Sequence, residues 1–600
     1  MGENNLSSIK KSNLNVNELI SEEEKLTFLV GAGASVESPS QLPAASETIQ
    51  ALIKFSCSKS EIDKILKIQD LPFEILASII LESLDGVKFL DFYQENDKPN
   101  LEHFVLAEMI KKGHFIITTN FDFLLEHALL QSDIPKKKIV PVITEKDYER
   151  FSDPEKLFKS GKFPVYKIHG SPKNIITGED TRKSFINTLK LIGLNQTRNN
   201  IIQLEPYKAQ FLEKTSAERT LIIMGYSGKN DYDLISTLKI MGDLKNLIWI
   251  NHVSKSKAKE DIFEFGKPKD SELSDMDDLN RQLSEIKRLN ESVNVFRLNV
   301  NTPKFLEKLL KNKEELSKEK FDFDLIEWLQ ANLKEPNELT KLYISNKIYF
   351  ETKNYNDSLR CLERIIQLSE DSGDSKWKAI SLMEIGIINY MQLNYKDAVE
   401  WLRKALLVQL KIKTFPQVVS IFKYLGLSYE ALKDYTEAIR NFEFALKDTD
   451  KTKNFEEKSK ILKHLGIINH NQENYEEALK YFESAIKLNE RSENLAEMAT
   501  NYKLKGKIYY SKKNYEEALN QFKRALELNE ILENLKDKAE VLNFIGKISH
   551  EMGDSLTGLE KCNEALRIYN LLQNLEGKLE ALISVGSIYR DQWNYPKAFD

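Results

Sequence analysis

This chain predicts a Rossmann-like parallel α/β sheet with a helical insert, followed by an all-α solenoid. Two observations carry that reading. Over roughly the first 312 residues, short apolar runs that end in glycine or polar residues alternate with helical stretches, the pattern of a parallel sheet with helices on both faces. Further on, an Asn-Tyr or Asp-Tyr pair returns every 40 residues, the mark of stacked helical hairpins.

The 600 residues imply several domains, because single cores rarely grow past about 250–300 residues. A hydrophobic share of 41% with 30% charged residues suits soluble globular protein with charged helical surfaces. The formal charge of −6 gives no electrostatic reason for nucleic acid as the main partner. Cys57, Cys361 and Cys562 stand far apart, which excludes a structural zinc site built on cysteines, argues against a disulfide framework and points to reducing cytoplasm. No metal is expected. Without an apolar run of 18 residues, no membrane helix is expected. The first residues are polar and lack a signal-peptide core.

Residues 1–24 read as a polar lead-in with one short amphipathic helix. Leu26 to Val30 is a β-rich apolar run that enters Gly31-Ala32-Gly33-Ala34-Ser35. A strand running into paired glycines suggests a phosphate-binding turn: a side chain there would keep backbone N–H groups away from a pyrophosphate, and a following helix N-terminus would add donors. Pro39 and Pro43 hold a loop, Ser46 and Glu47 start a helix, and residues 60–112 show helical periodicity, for example Ile62, Ile65 and Ile68. This is a helical insert between the first two strands. Four more strands follow, each with polar or glycine residues at its end: His114–Thr118 before Asn120 and Asp122, Val165–Ile168 before His169, Thr220–Met224 before Gly225-Tyr226-Ser227-Gly228, and Leu247–Ile250 before Asn251. A sixth lies at Asn294–Val300. In such sheets ligands sit outside the carboxyl ends of the strands, where these residues cluster.

A charged helical connector occupies residues 313–340 and repeats fill 341–600. The pairs are Asn354-Tyr355, Asn394-Tyr395, Asp434-Tyr435, Asn474-Tyr475, Asn514-Tyr515, Asp554-Ser555 and Asn594-Tyr595. From the second on, a glycine stands eight residues earlier, from Gly386 to Gly586, and alanines recur at Ala398, Ala438, Ala478 and Ala518 and at Ala405, Ala445, Ala485, Ala525 and Ala565. Small residues at fixed places let two helices pack closely, with the Asn-Tyr at the turn. The array resembles tetratricopeptide repeats of a longer, 40-residue type. Its last unit is incomplete, so either the natural chain continues or a partner subunit completes the final helix.

The motifs GAGAS at 31–35, TTNFD at 118–122, KIHG at 167–170 and GYSG at 225–228, the last followed by Asp231 and Asp233, stand in one order over residues 25–312. Together they resemble the SIR2 (sirtuin-like) family of NAD-consuming enzymes, in its prokaryotic SIR2-like branch. The resemblance implies NAD in the crevice, with Gly31, Ala32, Gly33 and Ser35 at the phosphates and Gly225 and Ser227 covering them. It places Asn120 and Asp122 beside the nicotinamide ribose, makes His169 the general base, and lets Asn251 reach the adenosine ribose.

The chemistry suits these residue types. Cleavage of the nicotinamide–ribose bond passes through an oxocarbenium-like centre. A carboxamide can hold a water or a ribose hydroxyl, an imidazole can take a proton, and an aspartate can orient a loop or the base. Plainer roles exist for the same residues. Asn120 and Asp122 also suit caps for the helix FLLEHALL, which is compatible with catalysis; His169 taken singly is an ordinary buried polar residue; Asp231 and Asp233 read as loop or N-cap residues. His103, His114 and His127 read as structural.

Protein-deacylating members of the family carry a module of four zinc-binding cysteines, which a chain with three cannot build. Hydrolysis of NAD to nicotinamide and ADP-ribose is therefore expected over NAD-dependent deacylation, and a non-catalytic nucleotide-sensing scaffold is the rival of another class. The fusion with repeats resembles bacterial anti-phage effectors that deplete NAD on infection. It implies a protein trigger or partner on the array, a homo-oligomer, and no nucleic acid or membrane partner.

Overall fold

The computed structural model describes residues 8–20, 24–68, 71–84, 86, 88–186, 204–228, 232–241, 244–253, 260–273, 276–307, 316–412, 416–452, 454–492, 494–532, 534–572, 574–593 and 595–599. They fall into two compact units, residues 1–352 and 353–600. Asp231 and Asn594 lie outside the described residues.

The first unit is built on one sheet. Its strands are β1 (Ile9–Lys11), β2 (Leu26–Val30), β3 (Phe115–Thr118), β4 (Ile139–Val142), β5 (Phe163–Lys167), β6 (Thr220–Met224), β7 (Asn246–His252), β8 (Asp261–Phe265) and β9 (Asn294–Val300). Their order across the sheet is β1-β8-β9-β7-β6-β2-β3-β5-β4. All six strands expected from the apolar runs are present. From β9 to β4 every pairing is parallel.

The sheet is mixed rather than purely parallel, because β8 runs antiparallel to β9 and β1 antiparallel to β8. These two strands form one edge. β8 has two half-buried residues and one exposed residue, Glu264, among its five, whereas every residue of β2 and β6 is buried. An edge that keeps one face near solvent needs no helix crossover and can be antiparallel. The strand within the lead-in has three residues, too few for periodicity to mark it.

Alternation along the central strands feeds two cores. Phe28, Val30, Ile116, Ile222 and Ile248 point to one face, and Leu29, Ile117, Leu221, Ile223 and Trp249 to the other. The insert between β2 and β3 comprises the helices Ala45–Ser56, Ile62–Ile65, Phe73–Ser83 and Leu101–Lys111. The first begins where Ser46 and Glu47 suggested, with the Glu47 carboxylate accepting the Ala44 N–H at 2.9 Å. Asn100 caps the last, its Oδ1 accepting the N–H groups of Glu102 and His103 at 3.0 and 3.3 Å. The helix Glu338–Glu351 belongs to this unit, where Tyr349 donates to Glu61 at 3.1 Å.

β2 holds the centre with β3 on one side and β6 on the other. The chain order thus reverses beside β2, and the switch point opens at the tips of β2, β3 and β6.

The second unit is a stack of helical hairpins with the expected spacing. A Cβ added at Gly426 or Gly466 would come within 2.6 Å of Phe442 or Phe482. Ala438, Ala478 and Ala518 are fully buried. Each hairpin turn carries a left-handed residue before the Asn or Asp, for example Lys433 at φ 61° and Glu473 at φ 63°. Cross-repeat ion pairs tie successive hairpins: Lys423 to Glu457 at 2.7 Å, Lys463 to Glu497 at 3.0 Å and Lys503 to Asp537 at 2.6 Å.

Candidate active site

The glycine turn after β2 is held by the loop after β6. Gly31 N–H donates to the Met224 carbonyl at 2.9 Å, Gly33 N–H to the Gly225 carbonyl at 2.7 Å, and Ala34 N–H to the Gly31 carbonyl at 3.0 Å. A Cβ on Gly31 or Gly33 would lie 2.6 or 2.8 Å from the Gly225 oxygen. Gly225 adopts φ +62°, and its own Cβ would meet Ala34 N at 2.5 Å. These glycines let two strand tips touch. The segment that follows is a single 3-10 turn, Ala32–Ser35, in place of the expected longer helix. The Gly33 backbone is exposed, Ala32 is half-buried and Ser35 is buried.

Ser35 is the hub of a buried network. Its hydroxyl donates to Asp122 Oδ2 at 2.8 Å, its oxygen accepts from Asn120 Nδ2 at 3.3 Å, and His103 Nε2 lies 3.2 Å away. Asn120 is further fixed by its N–H to Thr118 Oγ1 at 3.0 Å. With Nδ2 committed to Ser35, the Asn120 Oδ1 is buried and has no hydrogen-bond partner among the described residues.

Both Asp122 oxygens serve the protein itself. Oδ1 accepts the Leu124 N–H at 3.1 Å, starting the helix Leu124–Gln131, and Oδ2 accepts from Ser35. Asp122 stands one residue before the N-cap position, Phe123, and from there its carboxylate takes the first helical N–H and orients the loop.

His169 stands on the neighbouring strand tip. Thr118 of β3 is in register with Lys167 of β5, so Asn120 and His169 each lie two residues past that pair. Adjacent strands run about 4.8 Å apart. His169 is buried, and Gly170 turns the chain at φ +83° against Ser184 and Phe185. Phe121 packs against Phe185 and Phe73, with ring centroids 4.9 and 5.4 Å apart, which seats the loop that carries Asn120 on the insert.

The sequence assigns Lys167, Glu126 and Asn100 no role in this site and reads His103 as structural. Lys167 is 1% exposed, donates to the Asp122 carbonyl and lies 3.2 Å from Glu126, also 1% exposed. It ties β5 to the loop after β3. His103 and Asn100 arrive from the insert: Asn100 Nδ2 donates to the Ala34 carbonyl at 2.8 Å and Asn100 N–H to His103 Nδ1 at 3.2 Å. Burial lowers the His103 imidazole to about 4, against the pull of Asp122, so it is neutral. The capping position of His103, three residues after Asn100, was its only sequence mark.

Ser227 is exposed at the tip after β6, in a loop that Gln282 holds through the Gly228 carbonyl at 2.9 Å. Asn251 lies inside β7 rather than after it, and its Nδ2 donates to Asn299 Oδ1 on β9 at 2.9 Å. The structure therefore brings Ser35, Asn120 and Asp122 into direct contact and sets Gly31 and Gly33 against Gly225. Asn251 stands apart, two strands from β2. Among the described residues no group of three or more His, Cys, Asp or Glu could hold a metal ion, and no helix is long and apolar enough to cross a membrane.

Comparison with known proteins places two families in one chain. The SIR2-like domain model matches residues 114–246, and a tetratricopeptide repeat model matches residues 347–408 and 457–531. The chain thus carries a SIR2-like domain fused to tetratricopeptide repeats, and SIR2-like domains use NAD. No curated protein matches it. Similar solved structures include BtubC from P. vanneervenii (18% identity, 36% of this chain and 92% of that one, TM-score 0.33). The apo quorum sensor NprR from B. thuringiensis (13%, 46% and 89%, TM-score 0.35) and apo RapI (14%, 46% and 89%, TM-score 0.38) are two more.

Proposed function

We propose that the first unit hydrolyses NAD to nicotinamide and ADP-ribose. The observation that carries this reading is the Asn120 carboxamide: buried at a strand tip, anchored through Nδ2, and left with an acceptor oxygen that no described residue fills. That oxygen can take a hydrogen bond from an attacking water or a ribose hydroxyl. His169, on the adjacent tip, would receive the proton of the attacking nucleophile. Positive charge that develops on the ribose is met by the electron-rich Asn120 oxygen.

NAD would lie across the switch point, its phosphates over Ala32, Gly33 and Ser35 and beneath Gly225 and Ser227. The N–H groups of Gly31, Gly33 and Ala34 already bond carbonyls, so the glycines supply close approach more than free donors. Asn251 would reach the adenosine ribose through its Oδ1. Asp122 acts by holding Ser35 and the loop.

The repeats read as a sensor or oligomerisation element, since a helical solenoid offers an extended face for a protein partner. Unregulated loss of NAD harms a cell, which fits a cytoplasmic antiviral effector that a protein trigger switches on. The test is nicotinamide release by the purified chain mixed with NAD, alone and with candidate triggers. Asn120→Ala and His169→Ala should abolish release; undiminished release from both would remove this site.

A further inference from the structure

His103 of the insert touches Ser35, and the hydrogen bonds around its ring fix where the protons of this network sit. His103 Nδ1 accepts the backbone N–H of Asn100 at 3.2 Å, so Nδ1 carries no hydrogen. The neutral ring must then hold its proton on Nε2, which faces Ser35 Oγ at 3.2 Å and donates to it. Ser35 receives a second N–H from Asn120 Nδ2 at 3.3 Å. With both acceptor positions filled, the hydroxyl hydrogen has one direction left, toward Asp122 Oδ2 at 2.8 Å.

The consequence falls on Asn120. An amide can be placed either way round, and the two ends differ only in what they bond. Here Ser35 offers Asn120 a lone pair and no hydrogen, so the NH2 end turns to Ser35 and Oδ1 turns away. In the opposite tautomer Nε2 would be an acceptor, the Ser35 hydroxyl would be drawn to His103, and Asp122 Oδ2 would lose its donor. Ser35 would still turn a lone pair to the amide, so the tautomer governs whether this anchor is held on Asp122 or drawn to His103, and with it where the Asn120 amide sits.

We propose that His103 is a positioning residue for NAD cleavage: as the Nε2–H tautomer it sets the Ser35 hydroxyl and, through it, presents the Asn120 oxygen to the reacting sugar. This rests on the NAD-hydrolase reading of the site. Burial of the ring keeps it neutral, with Asp122 and Lys167 as the charged groups that act on it. Asn100 belongs to the same device, because it both caps the helix Leu101–Lys111 and orients the ring. The site is thereby assembled only when the insert helix is docked.

The test compares His103→Ala with His103→Gln, whose amide can donate to Ser35 as Nε2–H does and accept from Asn100. His103→Ala should lower kcat for nicotinamide release by roughly tenfold or more with KM changed by less than about threefold. His103→Gln should recover most of that loss. Equal kcat in wild type and His103→Ala, or no recovery in His103→Gln while it melts at the wild-type temperature, overturns the proposal. A second readout needs no turnover: 15N-histidine labelling of the wild-type chain, with His103→Gln to assign the signal, should show a neutral Nε2–H ring at pH 7. An Nδ1–H ring or a charged ring overturns the proposal. Failure of the hydrolase reading is distinct, because wild type would then release no nicotinamide under any trigger while the tautomer is still read.

Discussion

Ser35 Oγ donates to Asp122 Oδ2 at 2.8 Å, joining the tip of β2 to the tip of β3 beneath the Asn120 amide. Both residues are buried, so the bond is unscreened, and Asp122 also starts the following helix through Leu124. Asp122→Ala leaves two buried donors unpaired and should cost about 2–4 kcal/mol. Asp122→Asn keeps an acceptor for Leu124 and should cost less. Calorimetric melting of the intact chain ranks the two; equal melting temperatures in wild type and Asp122→Ala would contradict this.

The contact between the glycine turn and Gly225 predicts a steric penalty. Gly33→Ala drives a methyl to 2.8 Å from the Gly225 oxygen and should destabilise by about 1–3 kcal/mol. In the array, Gly466→Ala meets Phe482 at 2.6 Å, whereas Gly586→Ala finds its nearest atom at 3.4 Å. The first should lower the melting temperature of the array. The second should hold or raise it, since alanine favours a helix over glycine by about 1 kcal/mol.

Glu102 gives a pH signature. Burial, with help from the charge of Glu37, pushes its carboxyl up to about 8. Unfolded, it would titrate near its ordinary value of 4.5. The folded state therefore holds a proton that the unfolded state releases, so the stability from this group is complete below pH 4.5 and is lost as pH rises toward 8. Glu102→Gln cannot ionise. Its melting temperature should match wild type near pH 4.5 and exceed it at pH 8.5; a constant difference between the two proteins at all pH values would contradict the shift.

The cross-repeat ion pairs predict the opposite slope. Burial alone would raise the Glu540 carboxyl, but Lys503 and Lys507 overcome it and hold it at about 2. Stability from Glu540 is then present above its ordinary value of 4.5 and lost as pH falls toward 2. Lys503 bonds Asp537 and Glu540 at 2.6 and 2.7 Å and is largely buried. Lys503→Ala takes the cation from Asp537 and leaves Glu540 with Lys507 at 2.7 Å, and should cost about 1–2 kcal/mol at pH 7. The double variant with Asp537→Ala should lose less than the sum of the single changes in thermal unfolding.

What the sequence disclosed follows from how local each signal is. The central strands are continuous apolar runs with glycine or polar ends, and the 40-residue period needs no knowledge of distant contacts, so both could be read directly. β1 and β4 are short edge strands, and β8 joins β1 to the sheet; each is fixed by pairing partners elsewhere along the chain, as Ile9 is by Phe265. The same reason hid the side chains that support the site. Lys167 meets Glu126 and the Asp122 carbonyl, and His103 meets Ser35, only after β2, β3, β5 and the insert have come together. A histidine inside a helix looks structural until its partner is known. That Asn120 and His169 stand at neighbouring strand tips was legible because a parallel sheet gathers its tips on one edge; Asn251 lies within β7 and gives its Nδ2 to Asn299.

In the proposed reaction Asn120 and His169 together cleave the bond between nicotinamide and ribose. Nicotinamide released from NAD by the purified chain, with trigger where one is needed, should be abolished in Asn120→Ala and His169→Ala while both variants melt at the wild-type temperature. Release at the wild-type rate from either folded variant would contradict the account.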